Sequence, residues 1–145
     1  MATGGRMKEI LLHGGSAGTF DRAVSMARQL ADAFGARLHV VFTLEDPLSA
    51  GWTAEMSAER LPELHQAMEQ EARERLARLI SAEDQERLGV EIVLRTGAAA
   101  DEIVLYTKDH AIDLAIVQSP ASGGGDADVA RALLDRGDCA VLVVR

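Results

Sequence analysis

The sequence predicts an α/β domain in three layers, with a five-stranded parallel sheet covered by helices on both faces. Short, nearly continuous apolar segments alternate with amphipathic helical segments, as in a parallel sheet that is buried on both sides. The 145 residues are 48% hydrophobic and 26% charged, which is typical of one globular domain. No repeat, low-complexity tail or internal linker divides the chain. We therefore expect a single domain over residues 7–145, after a flexible lead-in at residues 1–6.

The charge balance limits the classes of partner. The chain has 15 Lys and Arg against 23 Asp and Glu, a net charge of −8. Such a surface repels nucleic acid and anionic lipid, and no basic cluster offsets it. The aliphatic runs are too short to span a membrane, and the first six residues lack the apolar core of a signal peptide. The single cysteine, Cys139, excludes an internal disulfide and a Cys-rich metal site. We expect a cytoplasmic protein without nucleic-acid or membrane partners.

The first half of the chain predicts two strands and two helices. Residues 7–13 form the first strand, which Gly and Ser residues at 14–18 close. A helix from Thr19 follows, because its apolar residues recur at three- and four-residue steps: Phe20, Val24, Ala27, Leu30, Ala31 and Phe34. Residues 36–42 are the second strand and 45–57 a loop. A long helix then presents one apolar stripe: Leu61, Leu64, Met68, Ala72, Leu76 and Leu79.

The second half continues the alternation. Residues 90–94 form the third strand, and a helix at about 98–110 follows it, with His110 favourably placed at its C-terminus. Residues 113–117 are the fourth strand. A Ser/Gly loop at 119–125 leads to a short helix at about 127–136, and residues 139–144 are the fifth strand. Cys139 is expected to be a small buried apolar residue.

Ligands of an open parallel sheet bind beyond the carboxyl ends of its strands. The residues at these ends are therefore compared with the sequence patterns of known catalytic and binding sites. Residues 14–18 match the G-x-S-x-G pattern of a hydrolase nucleophile elbow around Ser16. The acid and histidine that the elbow needs are missing, because His39 lies in a strand and His65 on a helix. P-loop, dinucleotide and phospho-receiver patterns are missing too, and the four histidines are too dispersed for a metal site. We predict no catalytic residue and no metal.

The loop at residues 119–125 leaves two interpretations open. Three consecutive glycines, Gly123 to Gly125, offer backbone N–H groups that can form an anion-binding nest, and the next helix adds its dipole. The same composition also suits a connector without a ligand. Asp126 and Asp128 oppose a phosphate there by about 1–4 kcal/mol, depending on distance and screening. The local charge favours an empty or weak site.

Three segments, in this order, resemble the universal stress protein family. The first is Ile10-Leu11-Leu12-His13-Gly14-Gly15-Ser16, a strand that ends in Gly-Ser before a helix. The second runs from Thr96-Gly97 through Asp101-Glu102-Ile103 to Asp113-Leu114-Ala115-Ile116-Val117, and is similar to the family's "G-x-x-x-x-x-I … A-D-L-I-V-M". The third is Cys139-Ala140-Val141-Leu142-Val143-Val144-Arg145, close to "C-P-V-L-V-V-R". The resemblance covers nearly the whole chain from Met7.

The resemblance implies a Rossmann-like fold of the adenine nucleotide alpha-hydrolase type and a role in stress response. Many members of the family dimerise through the last strand. Here a two-fold axis would pair Val141, Leu142, Val143 and Val144 with the same residues of a second copy, which would also hide an apolar sheet edge.

Some family members bind ATP, and this chain departs from their motif. Those members carry an Asp before Gly-Ser, where this chain has Gly14. They also carry G-x-x-G after the fourth strand, then nine residues and Gly-Ser/Thr. Gln118 and Ala121 fall on the two glycines, and Ala127 and Asp128 on Gly-Ser/Thr, with a loop that is several residues short. Gly97 and Val41 do match positions of the family pocket.

The resemblance therefore implies a branch without the standard ATP site, so that ATP or AMP is disfavoured as a cofactor. The alternative is a protein that binds a nucleotide or another small ligand through a rearranged Ser/Gly loop. In that case, the ligand-binding residues would come from the ends of the strands and from this loop: Gly14, Gly15, Ser16, Val41, Gly97, Gln118, Ser119, Ser122, Gly123, Gly124 and Gly125.

Overall fold

A computed structural model describes residues 7–14, 21–44, 48, 51–118 and 125–145, with only the backbone of residues 125–127. The elements in chain order are β1 (Glu9–His13), α1 (Asp21–Phe34), β2 (Arg37–Leu44), α2 (Ala54–Leu79), α3 (Ala82–Arg87), β3 (Glu91–Thr96), α4 (Ala99–Asp109), β4 (Leu114–Gln118), α5 (Gly125–Arg136) and β5 (Ala140–Val144). The five strands form one parallel sheet in the order β3-β2-β1-β4-β5. The predicted three-layer α/β fold is confirmed.

Two apolar cores lie on opposite faces of the sheet because successive side chains of a strand point to opposite sides. On one face, α1 and α2 cover residues such as Ile10, Leu12 and Val40. On the other face, α4 and α5 cover Leu11, Val41 and neighbouring residues. The described part of the chain contains no helix that is long and apolar enough to cross a membrane.

Several boundaries differ from the sequence prediction. Helix α2 begins at Ala54, inside the predicted loop at 45–57, because the Thr53 side chain accepts from the Met56 N–H and caps the helix. The six-residue α3, capped by Ser81, was not predicted because its polar sequence carries no apolar stripe. Strand β2 continues to Leu44, and Gly125 begins α5 instead of ending a loop.

Several predicted apolar positions are not buried as expected. Phe34, at the end of α1, is 54% exposed because it lies where the helix leaves the sheet. In α2 the buried residues are Ala72 and Leu76, whereas Leu61, Leu64 and Met68 remain half-exposed. Cys139 is half-buried, and burial raises the pKa of its thiol. His110 takes its predicted place as the C-cap of α4.

Candidate functional site

The carboxyl edge of the sheet brings four predicted site residues to the same side of the molecule. Gly14 follows β1, Val41 lies in β2, Gly97 follows β3 and Gln118 ends β4. Two backbone hydrogen bonds hold this edge together: the Gly14 N–H donates to the Val41 carbonyl, and the Gly97 N–H donates to the Leu44 carbonyl, each at 2.8 Å. The other predicted residues of the edge lie outside the described residues: Gly15, Ser16, Ser119, Ser122, Gly123 and Gly124. Gly125 is described by its backbone alone, and the side chains of Asp126 and Ala127 lie outside the described residues.

The phenyl ring of Phe42 fills the space above Gly14. A Cβ added at Gly14 would overlap the Cδ1 and Cε1 atoms of this ring. Phe42 is only 8% exposed and belongs to the core between the sheet and helices α1 and α2. The glycine therefore permits a close approach of the two strand ends. A longer side chain at position 14 has no space unless this ring moves.

Gln118 uses both ends of its side-chain amide for structure. Its Oε1 accepts from the Ala23 N–H at 3.2 Å, and its Nε2 donates to the Val144 carbonyl at 3.0 Å. The Ala23 N–H belongs to the first turn of α1, where backbone donors have no partner within the helix. The residue is about 9% exposed. Gln118 thus joins α1, β4 and β5 at the carboxyl edge.

The end of β3 is occupied in a similar way. Gly97 has φ +144°, a conformation that other residues rarely adopt, and the Glu102 side chain packs against it. The Thr96 hydroxyl lies 2.6 Å from Nε2 of His65 in α2. Ala98, the N-cap of α4, supplies no side-chain hydrogen bond to the helix.

A network of hydrogen-bonded side chains crosses the opposite, amino end of the sheet, on the face that α4 covers. Nε2 of His39 lies 3.0 Å from the Glu9 carboxylate, and its Nδ1 lies 2.7 Å from the Tyr106 hydroxyl. Since a carboxylate accepts, Nε2 donates to Glu9 and Nδ1 accepts from the tyrosine. His110 stacks on the Tyr106 ring with centroids 3.8 Å apart. The sequence did not predict this network, because Glu9 and His39 are 30 residues apart and His39 and Tyr106 are 67 apart.

The environment of Tyr106 favours its neutral form. Burial raises the pKa of Tyr106 to about 12; the negative charge of Glu91 acts in the same direction, and Arg95 opposes it. The Arg95 guanidinium carbon lies 5.3 Å from the centre of the Tyr106 ring, within range of a cation–π interaction. Nε of Arg95 is buried without a hydrogen-bond partner. This cation is therefore held against the tyrosine ring.

We expect the stability of the protein to fall steeply between pH 10 and pH 12. A tyrosine that ionises near pH 10 when unfolded and near pH 12 when folded contributes stability below pH 10 and loses it as the pH rises. A difference of about two between the folded and unfolded pKa corresponds to about 3 kcal/mol of folding stability. The measurement is the free energy of unfolding by urea at several pH values, for the wild type and Tyr106→Phe.

Both proteins lose stability through other groups in this range, so the informative quantity is the difference between their slopes. The phenylalanine variant should be less stable at pH 8, because His39 loses a donor, and the gap should close by pH 12. A gap that stays constant with pH would contradict the raised pKa.

The described histidines all lie in structural hydrogen bonds. Nε2 of His13 lies 3.0 Å from the Thr43 hydroxyl, His39 and His65 contact Tyr106 and Thr96, and Nδ1 of His110 donates to the Tyr106 carbonyl at 3.2 Å. Among the described residues, no three His, Cys, Asp or Glu side chains are grouped so that they could hold a metal ion.

Comparison with known proteins identifies the family. The family model of the universal stress protein family matches residues 8–145. The chain belongs to the universal stress protein family. The family expected from the three sequence segments is thereby confirmed. A comparison with curated proteins finds no match.

Solved structures of the family share the fold. The universal stress protein UspA from Lactobacillus plantarum matches with a TM-score of 0.72 and 20% identity, over 97% of this chain and 99% of that one. A universal stress protein in complex with cAMP matches with a TM-score of 0.55 and 20% identity, over 95% and 96% of the two chains. The protein from Archaeoglobus fulgidus in complex with dAMP matches with a TM-score of 0.57 and 16% identity, over 96% and 98%.

Proposed function

We propose that this universal stress protein is a homodimeric, cytoplasmic stress-response protein without catalytic activity and without the standard ATP site of its family. It would act through protein partners. The observation that carries the proposal is the close approach of Phe42 to Gly14. In ATP-binding members an Asp holds the nucleotide at this position. Here the residue is glycine, and a buried ring fills the place of its side chain.

Gln118 supports the same conclusion at the end of β4. It stands where the ATP-binding motif has its first glycine, and a glycine there leaves room for a ligand. The Gln118 amide instead bonds the first turn of α1 and the end of β5. Breaking these bonds would leave buried polar groups unsatisfied, at about 1–3 kcal/mol for each group. A ligand that displaced Gln118 would bear that cost.

The proposal of a non-catalytic protein is supported by the histidines. Each of the four contacts a hydroxyl, a carboxylate or a backbone carbonyl in the structure. His39 lies at the amino end of the sheet, away from the carboxyl edge where ligands bind, and it is only 2% exposed. Both ring nitrogens of His39 are already engaged, with Tyr106 and Glu9, so neither is free to act as a general base.

The homodimer is proposed through β5. This strand is an edge of the sheet, next to β4 alone. Its sequence from Ala140 to Val144 is wholly apolar, and Val143 is 45% exposed. An apolar edge strand attracts another strand unless it is covered. Pairing with β5 of a second copy around a two-fold axis would cover it in a closed dimer.

Calorimetric titration with ATP and AMP, in the presence of magnesium, tests the loss of the standard site. We expect no saturable heat up to millimolar nucleotide, because residue 14 has no side chain and its space is filled. Binding tighter than about 100 µM, equivalent to about 5.5 kcal/mol, would refute the proposal.

A second candidate function is nucleotide binding through the Ser/Gly loop at 119–125. It is favoured by two structural neighbours that were solved with cAMP and with dAMP. The same titration with cAMP and dAMP tests it, together with Gly124→Asp. Saturable binding that Gly124→Asp abolishes would support this candidate. Binding that Gly124→Asp leaves unchanged would rule out the loop as the site.

A further inference from the structure

The first part of α2 extends beyond the sheet. His65 contacts Thr96, the last residue of β3. As a crossover helix between parallel strands, α2 runs from the carboxyl edge to the amino edge of the sheet. At 1.5 Å per residue, Ala54 therefore lies about 16 Å farther along the helix axis than His65, past the carboxyl edge. No residue of α2 before Ala72 is buried.

This projecting segment carries an apolar groove. The groove has a volume of about 480 Å³. Its lining residues recur at three- and four-residue steps along one face of α2, with one residue from before the helix: Leu48, Ala54, Ser57, Ala58, Leu61, Pro62 and His65. The stripe is continuous with the one that packs Ala72 and Leu76 on the sheet. An exposed apolar stripe at helical spacing is the kind of surface that receives the apolar face of another helix.

Acidic side chains follow one side of the groove. Glu55, Glu59 and Glu63 each come one residue after a groove position, so that they form a row parallel to it. Among the ion pairs between described residues, none involves these three carboxylates, whereas Glu69 farther along the helix pairs with Arg73 at 2.7 Å. The negative charge beside the groove is therefore available to a partner.

We propose that the groove on the first half of α2 docks a basic amphipathic helix of another protein. The apolar face of that helix would fill the groove, and its Lys or Arg residues would pair with the Glu55, Glu59 and Glu63 row. A second copy of this chain packed antiparallel fits less well, because a two-fold axis perpendicular to the helix would bring the two acidic rows together. The inference deepens the proposed function, since it gives a chemistry to the protein partner.

The proposal is tested on the full chain with a labelled Leu/Lys peptide whose sequence forms an amphipathic helix. Its binding is measured by fluorescence anisotropy. We expect saturable binding that weakens as salt screens the charges. Ala58→Arg places a bulky cation in the groove and should weaken binding at least about tenfold. Ala77→Arg is the matched control, because it makes the same charge change at an exposed alanine of α2 that lies about 18 Å along the helix beyond His65, the last groove residue. It should change affinity by less than about twofold.

The acidic row is tested separately by Glu55→Gln, Glu59→Gln and Glu63→Gln combined. This variant should weaken the Leu/Lys peptide severalfold, and a Leu/Glu peptide of the same pattern should not bind the wild type. Equal binding of both peptides, or equal losses in Ala58→Arg and Ala77→Arg, would overturn the proposal. So would self-association in sedimentation that Ala58→Arg alone abolishes, which would assign the groove to a second copy. Nucleotide titration remains independent, so either proposal can fail alone.

Discussion

Gly14→Ala is expected to destabilise the protein by about 1–3 kcal/mol, the range for overpacking a well-packed core. The added methyl group would overlap the Phe42 ring, which is buried between the sheet and the helices that cover it. The ring cannot move outward without displacing core residues. The measurement is the free energy of unfolding by urea, with the slope of the transition checked for a change in the unfolded state.

The control is a double-mutant cycle with Phe42→Leu. Leucine lacks the Cε1 atom of the ring, and its Cδ atoms can rotate away from position 14. The double variant should therefore be more stable than the sum of the two single effects predicts, by at least about 1 kcal/mol. If Gly14→Ala is neutral, or if the effects simply add, the ring does not fill the space above position 14. The main argument against an ATP site would then be lost.

Val143→Asp is expected to convert a β5-mediated dimer to a monomer, with the dissociation constant raised at least about a hundredfold. Around a two-fold axis, the change places two carboxylates in one apolar interface, where each loses water and repels the other. Val143 is already 45% exposed in the single chain, so the monomer should keep its fold. Sedimentation equilibrium over a range of protein concentrations measures the change.

Phe34→Asp is the matched control. Phe34 is also a large exposed apolar residue, at 54%, but it lies at the end of α1 and away from the β5 edge. This variant should stay dimeric. A wild-type chain that is monomeric at high concentration, or a dimer that survives Val143→Asp, would contradict pairing through β5. The groove on α2 would still be testable in either case.

The sheet and four of the helices were predictable from the sequence because their patterns are local. Apolar runs such as the one that begins at Ile10, and stripes such as Val24, Ala27 and Ala31, follow from the periods of strands and helices. Helix α3 was missed because five of its six residues are polar and because the Ser81 cap holds it. The start of α2 was missed because the Thr53 cap precedes any apolar repeat.

The candidate site was predictable as a location. Parallel strands place Gly14, Gly97 and Gln118 at one edge of the sheet, and this follows from topology alone. The occupancy of that edge by Phe42 and by the Gln118 amide was not predictable. In the sequence, Phe42 has the features of any apolar strand residue, so nothing indicates its contact with Gly14. The hydrogen bond from Ala23 to Gln118 joins residues that are 95 apart, and no local pattern predicts it.

The sequence alone determined the fold class, the family resemblance and the departures from the ATP-binding motif, because these depend on residue order and local period. The tertiary structure decided which spaces are filled and which faces are left open. It placed the Phe42 ring over Gly14 and extended α2 beyond the sheet. It also joined Glu9, His39 and Tyr106 in one hydrogen-bonded network. Such contacts depend on how distant segments pack, since steric fit and hydrogen bonding act between atoms that meet only in the folded chain.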